Sequence, residues 1–157
     1  PTSRASILSG KALVAYIMQS IQITVVLVLG AAIFGYRPKG SLVALMVVLL
    51  CFSAVLSALG VAIALWSHSR DAALSMSNIV GMLAAGIGGA FCTVSSFPDW
   101  AQHAARLSPA YWANSAINQV SLDGLGFTDI APQIGALLGF FAAFAALALI
   151  KFRYHKE

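Results

Sequence analysis

Long apolar runs without a charged residue constrain this chain more than any other feature. The runs 12–35 and 42–66 each exceed the about 20 residues that a helix needs to cross a bilayer. Two further runs, 72–94 and 134–150, are also free of Asp, Glu, Lys and Arg. Because an isolated strand would leave its backbone unpaired in lipid, each run is predicted to be a helix. The sequence therefore predicts an all-α integral membrane protein with about four transmembrane helices.

The composition excludes an ordinary soluble domain. Charged residues make up 9% of the chain and hydrophobic residues 60%, whereas soluble domains contain roughly 25% charged residues. A soluble fold of 157 residues has too much surface relative to its volume to hide so much apolar area. The net charge of +4 does not indicate nucleic-acid binding, since Lys and Arg lie at the ends of the apolar runs and form no stripe.

The positive residues predict the orientation of the helices. Cytoplasmic loops carry an excess of Lys and Arg, and the excess is found here when both chain ends are placed on the cytoplasmic side. The inner residues are then Arg4, Lys11, Arg70, Lys151, Arg153 and Lys156, and the outer ones are Arg37, Lys39 and Arg106. We therefore expect a multi-pass protein of the cell membrane, such as a prokaryotic inner or plasma membrane, with both ends cytoplasmic.

The segment 95–131 is predicted to form a re-entrant helical hairpin at the outer face. Serine followed closely by proline, a signal for the start of a helix, occurs at Ser96 and again at Ser108. The second helix has about 15 residues and contains Asn and Gln, so it is too short and too polar to span. Two short helices that enter the outer leaflet and return fit this pattern. The residues expected to define this hairpin are Pro98, Trp100, Pro109, Tyr111 and Trp112.

Residues 1–10 are predicted to form a short amphipathic helix before the first span. Ile7 and Leu8 lie there between the basic residues Arg4 and Lys11. Taken alone, this pattern is typical of an interfacial anchor whose basic side chains meet lipid headgroups.

Three segments together resemble the permease subunits of type 2 (ABC-2) ATP-binding-cassette exporters. They are residues 1–11, the run Gly88-Gly89-Ala90-Phe91 with the later segments 97–100 and 107–112, and the tail Phe152-Arg153-Tyr154. The resemblance covers the whole chain as the family's C-terminal two thirds. The family's first two spans have no counterpart here, so we expect the chain to be a fragment that lacks two N-terminal spans.

The resemblance implies a permease subunit that forms half of a translocation pathway and is not itself catalytic. It implies three partners: an ATP-binding-cassette ATPase subunit, a second permease copy or homologue, and the lipid bilayer. ATP and Mg²⁺ would be bound by the ATPase, and this chain would bind no cofactor or metal directly. The residues that would couple to the ATPase are Arg4, Ile7, Leu8, Lys11 and Arg70. The alternative for Arg70 is that it belongs to an ordinary charged turn. The resemblance also implies that the hairpin 95–131 gates the outer end of the translocation pathway.

Polar residues within the predicted spans are candidates for the pathway lining. An amide left uncovered in hydrocarbon is costly, so such residues should face protein or a pathway. The candidates are Tyr16, Gln19, Ser53, Ser57 and Asn78. Hydrogen bonds between spans are the other interpretation, and the sequence leaves both open.

Missing motifs exclude several activities. There is no P-loop, so the chain does not bind ATP in that way. A proton- or ion-coupled carrier usually requires a charged residue within the membrane. None lies at the centre of a predicted span here, so a carrier of that kind is disfavoured. His68, His103 and His155 are too far apart in sequence to suggest a zinc site. The resemblance, with the uncharged walls rich in small residues, implies an exporter of an amphipathic drug-like, lipidic or lipid-linked substrate, and a non-transporting membrane anchor or assembly subunit is the alternative.

Overall fold

The computed structural model of this protein describes residues 3–154. Over these residues every regular element is helical, which confirms the predicted all-α membrane fold. The elements are α1 (Arg4–Phe34), α2 (Leu42–Trp66), α3 (Arg70–Ile87), a 3₁₀ turn (Val94–Ser96), α4 (Asp99–Ala105), α5 (Pro109–Ser121) and α6 (Ala131–Tyr154).

Among the described residues, three helices are long and apolar enough to cross a membrane, namely α1, α2 and α6. The sequence predicted about four. The missing one, α3, has 18 residues and opens with Arg70 and Asp71, so at about 1.5 Å per residue it is only about 27 Å long. Whether α3 crosses the whole bilayer stays a prediction.

The predicted third span, 72–94, ends too late. Helix α3 stops at Ile87, and the chain then bends through Gly88 and Gly89. The φ angle of Gly89 is +87°, a left-handed value that glycine adopts at no steric cost. The bend therefore results from the backbone conformation at Gly89. The residues after it are mostly apolar, so their composition did not predict that the helix ends there.

The amphipathic segment 1–10 is not a separate helix in the described residues. The hydroxyl oxygen of Ser3 accepts a hydrogen bond from the backbone N–H of Ser6 at 3.2 Å and so caps the start of α1. From Arg4 the helix continues without a break for 31 residues. Its length of about 46 Å exceeds the about 30 Å of the hydrocarbon core. Residues 1 and 2 of the predicted segment lie outside the described residues.

Helix α2 forms the centre of the fold. Its limits, Leu42–Trp66, agree with the prediction, and it packs against α1, α3, α5 and α6. The core side chains, which are almost fully buried, come from α2, α5, the residue just before α6 and the first turns of α6. They are Ala44, Leu45, Val48, Leu49, Val55, Ala113, Ala116, Val120, Ile130 and Leu137.

The two ends of the described chain lie at the same end of the bundle. Ser57, in the second half of α2, donates from its hydroxyl to the Ala12 carbonyl at 3.1 Å, so α1 runs antiparallel to α2. The Trp66 indole N–H donates to the Leu147 carbonyl at 3.5 Å, so the C-terminal halves of α2 and α6 are side by side. The starts of α1 and α3 and the end of α6 therefore share one side.

Helix α5 bridges the end of α3 and the start of α2. Near its beginning, the Ser108 hydroxyl donates to the Ala84 carbonyl at 2.8 Å. At its other end, the backbone N–H of Gly40 donates to the Val120 carbonyl at 2.9 Å. The Tyr36 hydroxyl donates to the Ser121 hydroxyl oxygen. The predicted pair of short helices is thus present as α4 and α5, while its insertion into the outer leaflet stays a prediction.

Candidate functional site

A cavity of about 650 Å³ lies between the first half of α1 and the second halves of α2 and α6. We call it the α1–α2–α6 groove. Helix α2 forms its floor, and α1 and α6 form its walls. The α1 wall consists of Ala5, Leu8, Ser9, Ala12, Leu13 and Tyr16. The floor consists of Ala54, Ser57, Ala58 and Val61, and the α6 wall of Phe141, Ala145, Ala148, Leu149 and Phe152.

Helical periodicity and small side chains produce this groove. The lining positions on α1 recur at intervals of three and four residues, which places them on one face of the helix. On the floor, Ala54, Ser57 and Ala58 are small, so the two walls stand over α2 without side chains that fill the space between them. The groove therefore arises from the packing of three helices that are distant in sequence.

The groove is apolar almost throughout. Its polar side chains are Ser9, Tyr16 and Ser57, and the Ser57 hydroxyl is engaged with the Ala12 carbonyl. A lining of this kind binds hydrocarbon or aromatic groups and offers few partners to a polar ligand.

The structure brings together two of the five residues predicted to line a pathway. Tyr16 and Ser57 both line the groove. Ser53 is fully buried, and its hydroxyl donates to the Leu49 carbonyl at 2.8 Å. Gln19 is half-buried farther along α1, outside the lining, and Asn78 is exposed on α3. The role of all five in transport stays a prediction.

Four of the five predicted coupling residues lie near the start of α1. Arg4, Ile7 and Lys11 follow one another at intervals of three and four residues, so they share a face. This outer face of α1 is exposed, and Ile7 is 48% accessible. Leu8, four residues after Arg4 and three before Lys11, lies at the edge of this face and also lines the groove. Arg70 begins α3 at the same end of the bundle.

One of the predicted hairpin residues, Tyr111, lies at a second cavity, of about 430 Å³, beside the bend after α3. Tyr111 lines this cavity with Asn114, whose amide N–H donates to the Gly89 carbonyl at 3.2 Å. Trp112 stands edge-on to Tyr111, with 5.3 Å between ring centroids. Its indole N–H donates to the Arg106 carbonyl at 2.9 Å, so the aromatic pair is held in place.

The remaining hairpin residues start the two helices or lie on the surface. Pro98 is the N-cap residue of α4, and Pro109 is the first residue of α5. Trp100 is 75% exposed. Within residues 3–154 there is no group of three or more His, Cys, Asp or Glu that could hold a metal ion.

Sequence reasoning missed most of the groove. Ala54 and Ala58 are four positions apart, about one helical turn, with Ser57 between them, so the small-residue spacing on α2 was visible in the sequence. Phe141, Ala145 and Leu149 on α6 gave no such signal, because apolar residues occupy nearly every position of that helix.

Comparison with known proteins gives one family. A family model described as "ABC-2 family transporter protein" matches residues 1–150. The match includes α1 to α5 and nearly all of α6. No curated protein and no solved structure matches the chain.

Proposed function

The chain belongs to the ABC-2 family of transporter proteins, and from this membership we propose that it forms half of an export pathway driven by ATP. Family membership makes it a multi-pass membrane permease and a transport component of an ABC transporter. The proposal adds the direction of transport, the coupling to ATP hydrolysis, and an amphipathic drug-like, lipidic or lipid-linked cargo.

The observation that carries the proposal is that α1 is one unbroken helix that carries basic residues on one side and lines the groove on another. Its outer face bears Arg4, Ile7 and Lys11, and its inner face forms a wall of the groove. A rigid helix transmits movement from one end to the other, so displacement of the outer face would move the groove wall against α2. This arrangement supports the proposed coupling to a nucleotide-driven partner.

The chain's own residues supply the pathway, and the energy would come from a partner. The sequence has no P-loop, so ATP and Mg²⁺ are proposed to bind to a separate ATPase subunit. A second permease copy or homologue would complete the route. In support, α3 buries none of its residues in the single chain, and Ile79, Met82 and Leu83 on it are 59%, 68% and 59% exposed.

We propose that both chain ends face the cytoplasm in a prokaryotic inner or plasma membrane. The starts of α1 and α3 and the end of α6 are on one side of the bundle, and Arg4, Lys11, Arg70, Lys151 and Arg153 are there. This concentration of positive charge supports the proposed orientation.

The test is co-purification of an ATPase with the tagged, full-length protein from its native membrane. Ile7→Asp should reduce the co-purified ATPase at least several-fold, because it places a charge in the middle of the proposed contact face. Ser6→Asp is the matched control, since it adds the same charge at the same depth on another exposed face. If Ile7→Asp retained all the ATPase, the coupling face would be wrongly assigned. If the unmodified protein retained none, the chain would instead be an anchoring or assembly subunit.

A further inference from the structure

We propose that the α1–α2–α6 groove holds a resident anionic phospholipid, with one acyl chain between the helices and its phosphate beside the basic residues at the end of the groove. This lipid would be a bound component of the protein and not its cargo. The inference goes beyond the proposed function, because it depends on membrane location and does not require an ATPase.

The length of the groove matches one leaflet. Its α1 wall extends from Ala5 to Tyr16 and its α6 wall from Phe141 to Phe152. Each wall advances by about 16 Å at about 1.5 Å per residue. The hydrocarbon core of a bilayer is about 30 Å thick, so the groove is about as deep as one layer of acyl chains.

The groove lining fits an acyl chain better than water or a polar molecule. Apolar cavities stay dry, and an unfilled space would cost the lining its dispersion contacts. Ala54 and Ala58 leave room at the floor, and Leu8, Leu13 and Leu149 provide hydrocarbon at the walls. In a membrane, the hydrocarbon available to fill such a space is the lipid itself.

The charges at one end of the groove select an anionic headgroup. Arg153 directly follows Phe152, the last lining residue of α6, and it is exposed. Lys151 is nearby, with its Nζ 5.0 Å from the centre of the Trp66 ring. Among the described acidic residues, only Asp71 is on this side, because Asp99, Asp123 and Asp129 lie between α3 and α6. Basic pockets between membrane helices bind anionic headgroups in this way.

Photo-crosslinking of the purified full-length protein tests the proposal. The protein is reconstituted, without ATPase or nucleotide, in phosphatidylcholine vesicles that contain a trace of a probe with a diazirine near the end of one acyl chain. The probe is either phosphatidylglycerol or phosphatidylcholine, and the labelled residues are mapped by mass spectrometry. We expect the phosphatidylglycerol probe to label the deep end of the groove, around Tyr16 and Phe141, several-fold more than the phosphatidylcholine probe.

Two pairs of variants locate the acyl chain and the headgroup separately. Ala145→Phe fills the groove and should abolish the groove labels, whereas Ala143→Phe adds the same side chain at an exposed position outside the lining and should not. Arg153→Gln should reduce the preference for phosphatidylglycerol to near equality. Arg37→Gln removes the same charge at the opposite end of the bundle and should leave the preference intact.

Several outcomes would overturn the proposal. Equal labelling by both probes would mean ordinary boundary lipid. Absence of groove labels would mean that another polypeptide segment or a second copy of the chain fills the space. If Ala145→Phe did not fold, competition on the unmodified protein would decide: unlabelled phosphatidylglycerol must suppress the groove labels, and unlabelled phosphatidylcholine must not. ATPase co-purification is measured independently, so either hypothesis can fail while the other survives.

Discussion

At the scale of single residues, Gly40 lies where the connection between α1 and α2 meets the end of α5. A Cβ atom added there would be 2.5 Å from the Val120 carbonyl oxygen and 2.7 Å from that of Leu125. Both are backbone atoms, so neither can move aside without displacing the end of α5 or the loop that follows it. We expect Gly40→Ala to lower the free energy of unfolding by about 1–3 kcal/mol. A lower thermal unfolding temperature in detergent would show this, and Gly60→Ala, with nothing within 4 Å, should not lower it.

Tyr36 makes the second attachment at this junction. Its hydroxyl donates to the hydroxyl oxygen of Ser121, whose side chain is 3% exposed. Tyr36→Phe removes the donor and leaves the ring, so we expect a loss of about 1 kcal/mol. The same unfolding measurement applies, with Tyr154→Phe as control because Tyr154 is 75% exposed. If both substitutions had the same effect, the hydrogen bond would contribute nothing.

The residue scale also shows why sequence reasoning found part of the site. Ser53 and Ser57 are one helical turn apart and looked equivalent in the sequence, yet Ser53 is enclosed in the core and Ser57 opens into the groove. Which residues on α2 are covered depends on where α5 and α6 pack. That information is not contained in the periodicity of α2 itself.

At the scale of elements, the limits of α2 were predictable and the end of α3 was not. Ser41 caps α2 by accepting from the Ala44 N–H at 3.3 Å, and a charged turn follows the helix, so both limits are marked by residue type. After α3 the sequence stays apolar and small through Val94. Only the conformation at Gly89 ends the helix, and apolar composition is compatible with either a helix or a bend there.

The continuity of α1 gives a prediction about coupling. Gly10 separates Ile7 from the half of the α1 groove wall formed by Ala12, Leu13 and Tyr16, and its surroundings are open. Proline at this position would remove a backbone hydrogen bond and break the helix at a cost of about 3 kcal/mol. We expect Gly10→Pro to retain the ATPase in co-purification but to lose ATP-dependent transport. The control Gly10→Ala should retain both the co-purified ATPase and ATP-dependent transport. If Gly10→Pro transported at the normal rate, a rigid α1 would be unnecessary for coupling.

At the scale of the whole molecule, the placement of both ends on one side predicts the pattern of labelling. His68, between α2 and α3, and Thr128, before α6, are both exposed in the structure. Each can therefore be replaced by a single cysteine that a reagent can reach. In a background with Cys51 and Cys92 replaced, an impermeant maleimide should label Thr128→Cys in intact cells and His68→Cys only after permeabilisation. Labelling of His68→Cys alone in intact cells would reverse the orientation.

The backbone bonds between Gly40 and α5 have a consequence for energetics. Through Tyr36 and Gly40 the hairpin is fastened to the end of α1, and α1 continues to Arg4 at the opposite face. Suppose that the protein has two conformations that differ both at the hairpin and at Arg4. A ligand that binds the hairpin more tightly in one conformation must then change the affinity of the protein for a partner that binds at Arg4. Thermodynamic linkage requires the reverse effect to be equally large. Binding of a ligand at the hairpin would then be measurable as a change in the dissociation constant of the partner bound at Arg4, and each face would report the occupancy of the other.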